Sequence, residues 1–226
     1  MTEAPPFLAD LQAIPGVRAA WIGRVPNLQI TGDRDEAMAQ LRPHHQAAVA
    51  DFAGPQAPWW RAEQVHGNAV AVVPGCPQIT APDGLPVVPG VDGLITQAVG
   101  VVLAIYVADC GVIWLADRMT GAIGLLHSGK NGTAANIFGQ ALERMADNFG
   151  TLAQNVTAVL GPCIRPPDYE VDFAAEIARQ ASRAKLGNFI DCGLSTASDL
   201  ARFYSYRKQL GKTGRMMALI VRDSPL

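Results

Sequence analysis

Histidine is scarce in this chain: there are four, two of them adjacent at positions 44 and 45. That excludes chemistry built on a histidine-rich array of several metal ions. Cysteine is also sparse, four residues at irregular spacing in a chain of 226, so a disulfide framework is excluded and reduced thiols are expected. Charged residues make up only 17%, with 18 Lys and Arg against 20 Asp and Glu scattered evenly along the chain. With a formal charge of −2 and no basic stripe, neither nucleic acid nor an anionic membrane is an expected partner. A small, roughly neutral molecule fits better. No apolar run reaches the roughly 20 residues of a membrane span, and the longest, 101–115, is interrupted by Asp109. The opening Met-Thr-Glu-Ala-Pro-Pro lacks the basic and apolar regions of a signal peptide, so a cytoplasmic protein is expected.

What the chain does have is apolar substance. Hydrophobic residues make up 49%, enough for a substantial core, and the length favours one domain over residues 1–226. Short strands alternate with helices, without internal repeats. Residues 35–53 have helical character on both sides of Pro43, which is expected to break or kink the helix, with His44 and His45 on a solvated face. A short strand at 69–73 leads into the Pro/Gly-rich stretch Pro74 to Pro89, which is either a lid or, the favoured reading, a surface excursion. Four runs follow, beginning at Val91, Val101, Val112 and Ala122, so continuously apolar and β-branched that they predict strands covered on both faces. Polar residues at their ends then gather at one rim of a sheet.

At that rim stand His66, Cys110 and His127, each at the end of an apolar run. Two imidazoles and one thiolate make a three-ligand soft-metal set with an open fourth position. Cys110 has a second reading, as a nucleophile activated by His66 or His127. After His127, Gly129 and Gly132 open a turn, and Thr133 is placed to cap a helix running to about Phe149 with apolar residues at helical spacing. A strand, glycine turn and helix in that order aim backbone N–H groups and a helix dipole at an anion, with Lys130 as an added point charge and Asn131 beside it. Val156 to Leu160 predicts a further strand and 173–185 a helix; Phe203 to Arg207, a turn at 211–214 and the run from Arg215 predict a closing hairpin.

Taken in order, Gln64-Val-His-Gly, Asp92-Gly-Leu-Ile-Thr, Ala108-Asp-Cys, His127-x-Gly-x-x-Gly-Thr, Gly161-Pro-Cys-Ile with Tyr169-Glu-Val, and Tyr204-Ser-Tyr-Arg with Thr213-Gly-Arg resemble the YfiH-type family. Its members were first called multicopper polyphenol oxidases or laccase-domain proteins and later purine nucleoside phosphorylases. The ordered set is specific, although each piece alone is weak. The resemblance implies a mixed α/β fold of layered sheets with flanking helices, the CNF1/YfiH-like cysteine hydrolase architecture. It implies zinc, or copper in some reports, on His66, Cys110 and His127. It also implies phosphorolysis of adenosine, inosine, guanosine or methylthioadenosine, adenosine deamination, or, in one bacterial branch, editing hydrolysis of muropeptide precursors. Four histidines are too few for a four-copper oxidase. A catalytically altered, metal-binding regulatory relative is the non-enzymatic alternative.

Gln64 and Asp109 are the candidate supports of the metal ligands, Asp109 by bonding a ligand's second nitrogen or else by capping a strand end. Arg42 falls where the family places an arginine after its acidic segment, here Gly32-Asp-Arg-Asp-Glu, and with Arg207 and Arg215 it is a candidate for phosphate or carboxylate recognition. Cys163 is read as structural. The departures from the family pattern fall on substrate recognition. Lys130 and Asn131 replace a customary Trp-Arg, removing a stacking ring and a bidentate guanidinium. A Gly-Gly-Val-Ser loop is missing after Arg24, and 189–200 is shortened, with Ser195-Thr196 in place of Cys-Thr.

Overall fold

In the strands that dominate this molecule, alternate side chains enter two different cores, because both faces of the sheets are covered. The computed structural model describes residues 5–30 and 32–224. Residues 1–4, part of the segment read above for a signal, lie outside the described residues. The elements in chain order are α1 (Ala9–Gln12), β1 (Val17–Ile22), α2 (Arg34–Ala53), β2 (Trp59–Arg61), β3 (Val70–Val72), β4 (Ile79–Thr80), β5 (Pro86–Val87), β6 (Gly93–Thr96) and β7 (Val102–Val107). They continue with β8 (Gly111–Asp117), β9 (Ile123–Ser128), α3 (Lys130–Ala134), α4 (Ile137–Phe149), β10 (Val156–Leu160), α5 (Phe173–Arg183), β11 (Asn188–Asp191) and β12 (Met216–Arg222).

One sheet has four strands in the order β1-β12-β7-β2, and a second has six, in the order β11-β10-β8-β9-β6-β3. Val112, Trp114 and Ala116 of β8 face a core shared between the two sheets, where they meet Leu103, Ile105, Ala218 and Ile220. The intervening Ile113 and Leu115 face α4 and α5, packing with Phe138, Met145 and Ile177. On the far side of the four-stranded sheet, Ala104, Tyr106, Met217 and Leu219 pack against Met38 and Val49 of α2. The result is a mixed α/β architecture in four layers: helix, sheet, sheet, helices. This is the period-2 pattern of strands apolar on both faces, as the unbroken runs predict.

Several local expectations are corrected. α2 runs through Pro43 without ending. Pro43 removes an N–H that Ala39 would have accepted, but Pro43 is exposed and water can serve the freed carbonyl. An Asp33–Glu36 capping box starts this helix. His45 is buried rather than solvated, its ring 5.0 Å from that of Tyr106, whereas His44 is exposed. The single helix expected from Thr133 to Phe149 is two helices, broken where Asn136 adopts φ 57° and caps α4 through Gly139 N–H. Thr133 instead meets Ser128, hydroxyl to hydroxyl at 2.8 Å. The closing hairpin does not form: residues 203–215 are turns and coil, and β12 pairs with β1 and β7. The 74–89 stretch is an excursion only in part. It contains the β4–β5 pair and sends Asp83 inward to a buried ion pair with Arg61.

Candidate metal centre and pocket

Strand register brings the trio together. β8 and β9 are antiparallel with Gly111 opposite Ser128, so Cys110, just before β8, lies beside the end of β9 that carries His127. β6 pairs with β9, Gly93 opposite Leu126, which sets Asp92 against His127. β3 runs parallel to β6, and the loop that leads into it carries His66 to the same end. The donor atoms of His66, Cys110 and His127 all lie within 4.8 Å of one another, with His66 exposed, Cys110 partly buried and His127 buried. The two imidazole rings stand 4.9 Å apart and nearly perpendicular.

Asp92 is the organiser of this cluster, and the sequence reading gave it no role. Fully buried, it accepts a hydrogen bond from His127 Nδ1 at 2.7 Å and from the backbone N–H groups of His66 and Gly67 at 2.8 and 2.7 Å. It thereby fixes the ring of one donor and the backbone of the other, leaving His127 Nε2 for the cluster. Burial alone would push its carboxyl pKa up, but the His127 and backbone contacts outweigh that and hold it below the usual value. A carboxylate immediately before a fully apolar strand was the available signal. Burial likewise opposes the charged forms of Cys110 and His127, yet each stabilises the other. The thiol is pulled down, chiefly by His127, and the imidazole is pushed up, chiefly by Cys110 and Asp92.

The two residues expected to support the ligands hold neighbouring segments of chain instead. Gln64, at φ 65°, bonds both the N–H and the carbonyl of Tyr106, tying its loop to β7. Asp109, at φ 87°, accepts from the Thr196 hydroxyl and from Arg207 N–H at 2.7 Å each, so it anchors the C-terminal segment and touches neither histidine. His66 is at φ 65° as well. Three non-glycine residues in this uncommon region surround one site, each held there by such bonds.

Gly129 and Gly132 are explained by close approach. A Cβ at Gly129 would lie 2.5 Å from Cys110 Sγ, and one at Gly132 would lie 2.9 Å from the Gly67 carbonyl. The α3 that follows spans five residues, so the long helix dipole expected behind this turn is absent. Lys130 and Asn131 are exposed but do line the cavity.

The trio lines a cavity of about 850 Å³, together with Tyr169, Phe173, Tyr206, Arg34, Arg207 and Arg215. Arg42 is not there: its exposed side chain donates to the Asp83 carbonyl at 2.8 Å. The Arg207 guanidinium pairs with Glu170 and lies over the Tyr169 ring. Arg34, at the first turn of α2, was not anticipated, since its sequence context shows only an acidic helix start. Cys163 is buried, as read, and its thiol is pushed up by that burial. All four cysteines are free. Among the described residues no helix is long and apolar enough to cross a membrane.

Layered α/β proteins with a His–Cys–His cluster at a sheet end, able to hold a metal ion, form the class this fold and site define. The model of the multi-copper polyphenol oxidoreductase laccase family matches residues 23–189 and 171–223, and the chain belongs to this YfiH-type family. A purine nucleoside phosphorylase of Deinococcus radiodurans is 32% identical over 226 residues, covering 86% of this chain and 81% of the relative. One from Xylella fastidiosa is 29% identical and covers 96% and 93%. The crystal structure of YlmD from Geobacillus stearothermophilus superposes with a TM-score of 0.76 at 24% identity, covering 93% of each chain. That of the hypothetical protein YfiH from Bacillus licheniformis gives 0.75 at 21%, covering 91% and 92%. Both share the fold.

Proposed function

We propose that this protein is a zinc-dependent purine nucleoside phosphorylase, in which His66, Cys110 and His127 hold the metal and the cavity above them receives a nucleoside and phosphate. The observation that carries the reading is three mutually close soft donors, one locked by Asp92, at the foot of a cavity of about 850 Å³. That volume lies in the range of small-molecule sites. The donor chemistry suits zinc, with copper as the competitor that affinity order favours. Zinc bound there would act as a Lewis acid on a substrate oxygen. The chain's own part is positioning. Asp92 fixes the His127 tautomer, Gln64 and Asp109 hold the loops, and the exposed ring of Tyr206 on the cavity wall is available to a base. That ring would take the place of the stacking residue that Lys130 and Asn131 displace. A single site explains every close histidine, since His44 and His45 lie on α2 and do not join the trio.

The test is a product analysis of zinc-loaded protein with inosine and adenosine, each with and without phosphate. Free base and ribose 1-phosphate are expected only when phosphate is present. Inosine from adenosine in the absence of phosphate would replace phosphorolysis with deamination, and release of an amino acid from a muropeptide precursor would replace it with amide hydrolysis. Cys110→Ala is expected to lose both metal and activity; unchanged metal stoichiometry would remove the metal reading.

One observation favours a second reading. Asp92, His127 and Cys110 stand in line, as do the members of a cysteine-hydrolase triad. In that case Cys110 is a nucleophile towards an acyl or amide carbon, and chelation of metal from the purified protein leaves activity intact.

A further inference from the structure

We infer that Arg215, assisted by Arg34, forms the oxyanion-binding end of the cavity, taking a phosphate-class dianion, and that the glycine turn at Lys130 does not. The inference rests on reading the cavity as the substrate site.

Three of the cavity's four cationic side chains, Arg34 being the fourth, differ in what they already hold. Arg207 is committed to Glu170. Lys130 is exposed, on a turn whose glycines are required by the approach of Cys110 and of the Gly67 carbonyl. Arg215 is half-buried and, among the described residues, pairs with no carboxylate. Its Nη1 donates to the carbonyls of Thr213 and Gly214, both at 3.0 Å. A guanidinium carries five N–H donors, and those on Nε and Nη2 find no acceptor among the described residues. Arg215 lines the cavity, so these unused donors are open to an acceptor that a bound ligand brings.

The register explains why it points at the chemistry. Met216 opens β12 opposite Val107 of β7, so Arg215 stands beside Ala108, Asp109 and Cys110. The nearby carboxylate, Asp109, already accepts from Thr196 and from Arg207 N–H. Arg34 reaches the same cavity from α2, with Nη2 on the Glu63 carbonyl, and α2 is tied to the Arg215 backbone through His45 Nε2 at 3.3 Å. Burial, and next the charge of Arg34, lower the Arg215 pKa against the raising effect of Cys110, Tyr206 and Asp109. A planar fork with two parallel donors matches a phosphate bidentately, which Lys130 cannot do.

The experiment is calorimetric titration of the zinc-loaded full chain with inorganic phosphate, with and without inosine. Wild-type protein is expected to bind phosphate. Arg215→Gln should weaken binding by about tenfold to a hundredfold, and Arg34→Gln by less. Arg207→Gln and Lys130→Gln should leave it unchanged. Arg215→Lys, which keeps charge without the fork, should fall between wild type and Arg215→Gln. Arg34 is exposed, so its variant keeps the test decisive if Arg215→Gln does not fold. Adenosine monophosphate bound with the same Arg215 dependence, where free phosphate is not, would place the oxyanion on the substrate and uphold the site. Unchanged phosphate affinity in Arg34→Gln together with Arg215→Lys, loss in Lys130→Gln alone, or no oxyanion binding by wild type would overturn it. Arg215-dependent binding without any phosphorolysis would end the proposed function and leave this inference standing. Phosphorolysis at unchanged phosphate KM in Arg215→Gln would do the reverse.

Discussion

The floor and the rim of the cavity are built on different principles. At the floor, His66, Cys110 and His127 sit where four strands of one sheet begin or end, and Asp92 satisfies three donors at once without exposure to water. At the rim, the side chains come from α2, from the turn at 130, from Tyr169 and from the coil at 206–215, and most of them are exposed. A donor set fixed by sheet register cannot shift without disturbing two cores. A rim assembled from coil and helix ends can exchange Trp-Arg for Lys-Asn and leave the floor intact. The difference teaches that, on the proposed function, metal binding and substrate choice would rest on separable parts.

If the floor is one cooperative unit, its keystone should carry the largest effect. Asp92→Ala strands the His66 and Gly67 N–H groups and frees the His127 ring. Removing one partner from a buried charged network costs about 3–5 kcal/mol, and losing the group that orients a metal-bound imidazole weakens metal binding by about 10–100-fold. Urea unfolding and zinc competition measure the two. A loss of under 1 kcal/mol would put Asp92 on the rim's scale and break the comparison.

His45 links the rim to the fold, because α2 reaches the Arg215 backbone through it. Burial, and next the nearby Arg61 charge, lower its pKa from 6.5 to about 4, against the raising effect of the Arg215 carbonyl and of Asp83. The folded state therefore prefers neutral His45, and its contribution to stability is complete above about pH 6.5. As pH falls from there to about 4 the unfolded chain binds the proton first, and about 3 kcal/mol is lost. His45→Gln keeps an N–H donor and does not titrate, so its unfolding free energy should fall less than that of wild type across this window. Parallel curves would sink the assignment.

Gly129→Ala tests how tightly the floor is packed. Its Cβ would lie 2.5 Å from Cys110 Sγ, and an overpacked site of this kind costs about 1–3 kcal/mol. Zinc affinity should fall with it, since the thiolate must move. Stability and affinity both within error of wild type would mean the turn yields freely.

The same division governs what could be read from sequence. Cys110 and His127 are legible because each stands at the end of a run so apolar that it has to be a buried strand, and strand ends meet at rims; His66 lies in the loop between β2 and β3 and is legible only through its Gln-Val-His-Gly motif. The layers followed from the same runs. Asp92 shows in the sequence only as a carboxylate opening an apolar strand; that it supports His127 depends on Gly93 pairing with Leu126, a register that no local pattern encodes. Arg42, Arg207 and Arg215 looked alike as arginines near motifs. Only the fold separates the one on the Asp83 carbonyl, the one on Glu170 and the one with donors to spare. The hairpin expected between 203–207 and the run from Arg215 does not form because β12 pairs with β1 on one edge and β7 on the other, leaving no edge for 203–207. Pro43 does not break α2, because its cost depends on whether the freed carbonyl meets water.

The smallest effect should come from the arginine that is already paired. Arg207 and Glu170 are 51% and 61% exposed at their side chains, so their ion pair is worth about 0–1 kcal/mol and weakens with salt. Arg207→Gln should leave the unfolding midpoint nearly unchanged, because the bond that matters to the floor is from its backbone N–H to Asp109, which any residue but proline can make. Glu170→Gln is the sharper variant. It leaves Arg207 with a free guanidinium over the Tyr169 ring, so salt-sensitive phosphate affinity should rise slightly above wild type. If instead Glu170→Gln lowers phosphate affinity, the rim's charges act as one network, and its looseness relative to the floor is lost.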